Sequence, residues 1–194
     1  ALKDSSPSDV LYEISMHIQV DSQDSNNKRW GFYILEHFIR NTAMDLSEEL
    51  TSLLKYTLPS IIEESSDLLA QVHGTMSAIV STLPMDLLVE EISFISNHMA
   101  SAYSEAKHKA GSSRLKDDNG RLVLPYLSIK KSFENYLSIF TYGLTSGTTL
   151  ELREQACVAL KDTISMTETI ALKPYLSKIA GSLIRVFGDR ISNT

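Results

Sequence analysis

Residues able to do covalent chemistry are few and scattered along the chain. The stretch LREQACVAL (152–160) holds the only cysteine, Cys157. A reactive thiol needs a neighbouring base or cation to hold it as thiolate. No histidine lies near Cys157 in sequence, and Ala156 and Ala159 flank it. Cys157 therefore reads as a small packing residue, and the nonapeptide as a buried edge. The five histidines, His17, His37, His73, His98 and His108, show neither HExxH nor Cys/His ligand spacing. Glu105 and His108 could share one helix face, but two ligands do not close a metal site. Glu48–Glu49 and Glu63–Glu64 are the carboxylate pairs that a helical hydrolase would need. Adjacent residues diverge by about 100° on a helix, so both pairs read as solvated faces. The glycines of AGSSRLKDDNG (110–120) lack the lysine and the strand-to-helix setting of a phosphate loop. Ser112 and Ser113 beside Arg114 give only a weak phospho-acceptor signal. The expectation is a non-enzymatic chain with no cofactor, metal or small-molecule substrate.

Composition fits that expectation. At 194 residues, 43% hydrophobic and 22% charged, the chain can bury a core of its own. Its formal charge of -6 argues against general polyanion binding, which needs a net excess of Lys and Arg. A single cysteine and no Asn-x-Ser/Thr acceptor point to an intracellular, cytoplasmic protein. No apolar run approaches the ~20 residues that cross a bilayer, and the opening ALKDSSPSD resembles neither a signal nor a transit peptide. The chain reads as cut from something longer.

With only 8 Gly and 5 Pro, the segments between breakers have room to be helices. Ser8 is expected to cap a first helix carrying Val10, Leu11, Ile14 and Ile18. A second runs from about Lys28 to Arg40. Asp45 caps a third, bearing Leu46, Leu50, Leu53, Leu54 and Leu58, bent at Pro59 and continuing through Ile61 and Ile62. Asp67 opens a fourth, with Leu68, Val72, Met76, Ile79 and Val80 at helical spacing, ended by Leu83–Pro84. A fifth runs from Met85 through Leu88, Ile92, Ile95 and Met99 toward Lys107. Residues 108–127 form a loop insertion whose end, LVLPYLS (122–128), is irregular or extended. A sixth helix carries Phe133, Tyr136, Leu137, Phe140 and Leu144 and stops at TSGTT (145–149). Thr149 caps a seventh with Leu152, Ala156, Ala159, Leu160 and Ile164 on one face. An eighth shows Leu172, Leu176, Ile179, Leu183 and Phe187. No hairpin signal joins alternating apolar runs.

Repetition decides how these helices assemble. Slid back by 84 positions, Leu152, Ala156, Ala159 and Leu160 fall on Leu68, Val72, Thr75 and Met76; slid back by 125, they fall on Asn27, Gly31, Ile34 and Leu35. Helices of two kinds alternate, one of them small-residue-rich where a neighbour must approach. That is the mark of stacked helix pairs. The expected fold is an all-α solenoid of about four pairs, a single array over 1–194 with its last repeat incomplete. Leu176, Leu183 and Phe187 should pack back on the seventh helix and leave some apolar surface open, without a biological homo-oligomer.

The pattern resembles HEAT repeats. Over residues 142–190 the sequence also resembles the large HEAT-repeat translational activator of the general-control kinase. The stretches that carry this resemblance are GLTSGT (143–148), REQA (153–156), LKP (172–174) and GSLIRVFGDR (181–190), with Ser182 where that family usually has proline. The resemblance implies a scaffold that rides on ribosomes, engages a co-activator and presents a HEAT surface to the kinase's RWD domain. That kinase phosphorylates the alpha subunit of initiation factor two during amino-acid starvation. The family uses an arginine for kinase contact, and Arg153, Arg185 and Arg190 are the positions in matching stretches. Arg153 has a structural alternative, pairing with an acid of the preceding turn. Lys107, Lys109, Arg114 and Lys116, offset by Asp117 and Asp118, read first as a solvated linker and second as a salt-sensitive ribosome contact. A nuclear-transport or trafficking solenoid is the other binding reading, and it would lack the GDR ending.

Overall fold

A computed structural model describes residues 6–19, 25–58, 60, 66–109 and 130–191, and among these every regular element is helical. In chain order they are α1 (Pro7–Gln19), α2 (Ser25–Asn41), a 3-10 turn (Ser47–Glu49) leading into α3 (Leu50–Thr57), α4 (Ser66–Thr82), α5 (Met85–Glu90) and α6 (Ile92–Lys109). Then follow α7 (Lys130–Ser146), α8 (Leu150–Ser165), α9 (Thr169–Leu172), a second 3-10 turn (Lys173–Tyr175) and α10 (Leu176–Ile191). They form two compact units, Ala1–Leu87 and Leu88–Thr194. Pro59, Ile61, Ile62 and the stretch 110–129, which includes LVLPYLS and most of the expected insertion, lie outside the described residues. His108 belongs to α6.

In the first unit, α1 starts two residues earlier than the sequence suggests. Ser6, not Ser8, supplies the cap: its hydroxyl accepts the Asp9 N–H at 3.2 Å, and the Asp9 carboxylate accepts the Ser6 N–H at 3.2 Å. This reciprocal box satisfies two donors that a helix start leaves open, and Pro7 takes the first helical position, where no N–H is needed. Ser8 is freed to donate its hydroxyl to the Glu49 carboxylate. Asp45 starts the 3-10 turn by accepting the Ser47 N–H at 2.9 Å. Hydrogen bonds from Ser47 hold its carboxyl below the usual range. The long third helix therefore begins as that turn and becomes α-helical only at Leu50.

α2 packs between α1 and α4. Gly31 lets α1 come close, since a Cβ there would lie 2.9 Å from Ile18 Cγ1. On the α4 side, Thr75 Oγ1 donates to the Phe32 carbonyl at 3.1 Å, and Gln71 Nε2 donates to Glu36 Oε2 at 2.7 Å. Phe32, Leu35 and Ile39 of α2 and Leu68, Val72, Met76 and Ile79 of α4 are fully buried where the two helices pack. The sliding alignment fails at two points: Asn27, placed with the buried Leu68, is exposed, and so is Ile34. Ile34, placed opposite Ala159, is 47% exposed. Its neighbour Leu35 carries that part of the core.

In the second unit, the expected fifth helix is split at Glu91 into α5 and α6, although no Gly or Pro stands there. Val89 and Ile92, on either side of the break, both close on Gly143 of α7. A Cβ at Gly143 would sit 2.5 Å from Ile92 Cδ1 and 3.1 Å from Ala156 Cβ. So α6, α7 and α8 meet at a point where only glycine and alanine fit. Ser93 of α6 donates to Gln155 Oε1 of α8 at 2.7 Å, a polar tie like that between α2 and α4. Thr149 caps α8 as expected, its hydroxyl accepting the Leu152 N–H at 3.1 Å.

The eighth expected helix is kinked, and it packs on α7. Pro174 lies in the 3-10 turn between α9 and α10, where a missing N–H is tolerated. The Tyr175 ring packs at a tilt of 48° against Phe133 of α7, with ring centroids 4.9 Å apart, and its hydroxyl donates to Glu134 Oε1 at 3.1 Å. Burial and that carboxylate push the Tyr175 phenol up to about 12. Leu172, Tyr175 and Ile179 form the buried stripe, whereas Leu176 is 56% and Phe187 64% exposed. The expectation that Leu176, Leu183 and Phe187 pack back on the seventh helix is thus corrected. Spacing alone could not show that the turn at Pro174 brings Tyr175 into the contact. Threonines buried inside helices (Thr57, Thr141, Thr163) satisfy their hydroxyls by donating to the carbonyl four residues back, at 2.6–2.8 Å.

Candidate functional site

The candidate arginines occupy two helices. Arg153 lies in the first turn of α8, where its Nε donates to the Gly147 carbonyl at 2.8 Å. Its aliphatic stem lies against Gly147, with Cγ 3.1 Å from where a Cβ would be. Arg153 thus ties the preceding turn to α8 as expected, but through a backbone carbonyl and not an acid. Arg185 is exposed midway along α10, beside Ile184, which is 70% exposed. Arg190 lies in the last turn of the same helix, and its side chain lies outside what the structure describes. Residues 185 and 190 are about 140° apart around α10 by the helical turn, so they do not share one face. Lys107 and Lys109 belong to the end of α6, with side chains not described, and Arg114 and Lys116 lie outside the described residues.

Cys157 corrects the sequence reading: it is exposed. The buried face of α8 is Ala156, Ala159, Leu160 and Thr163. Position 157 is turned about 100° from Ala156, off that stripe. LREQACVAL is a packing edge through its alanines, with Cys157 and Val158 on the open side. His73 takes the opposite course. It is 2% exposed in the middle of α4, and burial pushes its imidazole down to about 4. It is a neutral core residue at ordinary pH. Glu48 and Glu49 sit in the 3-10 turn before α3, Glu49 engaged by Ser8, while Glu63 and Glu64 are not described. Among the described residues no group of three or more His, Cys, Asp or Glu could hold a metal ion, and no helix is long and apolar enough to cross a membrane.

The sequence reading passed over one surface feature. On α2, Trp30 is 56% and Tyr33 49% exposed, their rings meeting edge to face at 5.6 Å. Tyr33 stacks on His37 at 6.2 Å, and the Arg29 guanidinium lies 6.0 Å from the Trp30 ring centroid. Its signal in the sequence is the aromatic residues at i, i+3 and i+7, on the side of the helix away from the apolar stripe.

Helix pairs packed through small residues, with polar ties from one pair to the next and the charged and aromatic groups on open faces, define an all-α solenoid of HEAT type. The chain belongs to the family described as stalled ribosome sensor GCN1-like, HEAT repeats, whose model matches residues 7–131, more than half of its length. That match lies ahead of the segment 142–190 on which the sequence resemblance rests. Among curated proteins the chain is 29% identical over 171 residues to the protein ILITYHIA of Arabidopsis thaliana, covering 88% of this chain and 6% of that protein. It is 28% identical over 166 residues to the human stalled ribosome sensor GCN1, covering 82% of this chain and 6% of that protein. Over a shorter stretch of 57 residues it is 46% identical to the yeast eIF-2-alpha kinase activator GCN1, covering 29% of this chain and 2% of that protein. The chain thus spans a small part of the length of the relatives it matches. No solved structure matches it.

Proposed function

We propose that this chain is a stretch of non-catalytic HEAT scaffold in translational control, working in the cytoplasm as part of a ribosome-associated activator of the kinase that phosphorylates the alpha subunit of initiation factor two. The match of the GCN1-like family model over residues 7–131 carries this reading, and the names of the human and yeast relatives supply its two halves, ribosome sensing and kinase activation. The fold adds a physical reason. A stack of helix pairs spends its buried faces on its neighbours, so its recognition surfaces are exposed helix faces and the turns between them.

Arg185 is the first candidate for contact with the kinase's RWD domain, since it is exposed beside apolar residues, the setting in which arginine anchors protein interfaces. Arg190 is the second. Arg153 ranks below both because it already holds the Gly147 turn. Lys107, Lys109, Arg114 and Lys116 are proposed as a weaker ribosome contact.

The test is calorimetric titration of the 194-residue chain with the RWD domain at moderate salt, repeated with Arg185→Ala and Arg190→Ala. The expected result is binding weakened about tenfold or more by one of them with helical circular dichroism unchanged. Absence of heat at high micromolar concentration would move the kinase contact out of this chain.

A further inference from the structure

The aromatic face of α2 belongs neither to the core nor to the stacking contacts. By the turn of about 100° per residue, the buried Phe32, Leu35 and Ile39 fall within one narrow arc of the helix. Trp30, Tyr33 and His37 fall within another, on roughly the opposite side. Glu36, which meets Gln71 of α4, lies between the two arcs. Gly31, which meets Ile18 of α1, marks the other flank. The rings therefore project away from both helices that α2 packs on. Exposed Trp and Tyr held against one another are rigid, carry large contact area and lose little side-chain entropy on binding, which is why they anchor interfaces.

The charge of the helix narrows the partner. Beside this face α2 carries Arg29 and Arg40 against the single carboxylate Glu36, in a chain whose net charge is -6, whereas the helical turn places Lys28 in the buried arc. Glu36 is taken up by Arg40 at 3.0 Å and by Gln71. Arg29 is held over the Trp30 ring, and its carboxylate partner, Asp67, is distant at 4.0 Å with a side chain 79% exposed. A cation poised over an aromatic face, with only a loose solvent-exposed ion pair, is available to a better anion. The apolar character of the patch, extended on the same helix by Ile34 at 47% exposure, favours a protein segment over a nucleic acid.

We propose that the Trp30–Tyr33–His37 face of α2 docks a short acidic segment of a partner protein, an apolar side chain of that segment resting on Trp30 and Tyr33 and a carboxylate meeting Arg29. This surface is distinct from the arginines of α10, and its occupant need not be the kinase.

Trp30 is the sole tryptophan of the chain, so its fluorescence reports on this face alone. The intact 194-residue chain is titrated with a synthetic set of Asp/Glu-rich peptides bearing Leu, Phe, Trp-free or Pro anchors. The controls are the same peptides with Lys replacing the acids, poly-uridine RNA, and the chain itself at rising concentration. The expected result is a saturable change in Trp30 emission with an acidic peptide but not its lysine counterpart, weakened about tenfold by Arg29→Glu and by Tyr33→Ala. Tyr33 is exposed and Arg29 partly so, and circular dichroism checks that the helices persist. Emission that responds to RNA alone, that changes only with chain concentration, or that none of the acidic peptides moves at saturating concentration would overturn the proposal.

Discussion

Buried inside α4, His73 makes the first unit sensitive to acid. Its imidazole titrates at about 4 in the fold and near 6.5 when exposed, because burial penalises the charged form. The unfolded chain therefore binds the proton first. The stability linked to His73 is complete above pH 6.5 and is lost as pH falls from 6.5 toward 4, amounting to about 3 kcal/mol across that window. Urea unfolding at pH 7 and pH 5 should show a larger loss for the wild type than for His73→Leu, which has no proton to take up. An equal loss in both would mean that carboxylates elsewhere set the acid response. Arg153 is a second residue-scale case. Removing its hydrogen bond to the Gly147 carbonyl and the packing of its stem should cost about 1 kcal/mol. Arg153→Ala should therefore lower the thermal midpoint whatever it does to kinase binding. A loss of binding in that variant with stability unchanged would instead mark Arg153 as a contact residue.

Element by element, close approach is enforced by small residues. At Gly143 a Cβ would collide with Ile92 and press on Ala156, so Gly143→Val must push α7 away from α6 or α8. Overpacking of this kind costs about 1–3 kcal/mol, and a fall of that size in chemical stability should accompany a retained helical spectrum. A variant as stable as the wild type would show that the three helices can spread freely. The start of α8 depends on Thr149, whose hydroxyl takes the Leu152 N–H. Thr149→Ala should cost about 1 kcal/mol in the same unfolding assay, and Thr149→Ser little of that.

At the scale of the whole molecule, each unit is a short stack in which inner helices have neighbours on more sides than outer ones. α7 touches α6, α8 and α10, and α4 touches α2 and α3. α10 rests on α7 while leaving Leu176, Ile184 and Phe187 open. In repeat stacks stability is set by nearest-neighbour interfaces, so protection should be graded within each unit. Hydrogen exchange should find the slowest amides in the middle of α7 and of α4 and much faster ones along the second half of α10. Uniform protection across α7, α8 and α10 would show that the second unit opens only as a whole.

The sequence by itself determined that the chain is helical, where most helices lie, and that they stack in pairs. Apolar residues recurring at three and four positions fix both a helix and the face that it buries, and turn residues such as Thr149 and Pro84 punctuate it wherever the tertiary setting agrees. The resemblance in REQA and GSLIRVFGDR pointed to the same family that the model over residues 7–131 establishes. What the periodicity could not decide were features that depend on the neighbours of a helix. Cys157 and Ile34 sit beside buried residues yet face outward, because a difference of one position turns a side chain by about 100°. The break at Glu91 has no residue type to announce it. The kinked passage through Pro174 put Tyr175 into the contact with α7 and left Leu176 and Phe187 outside it. The aromatic face of α2 was present in the residue types all along. Only the packing of α1 and α4 on the other sides of that helix decided that Trp30, Tyr33 and His37 remain open, because a periodic stripe says that a face exists and only the folded chain says which faces are covered.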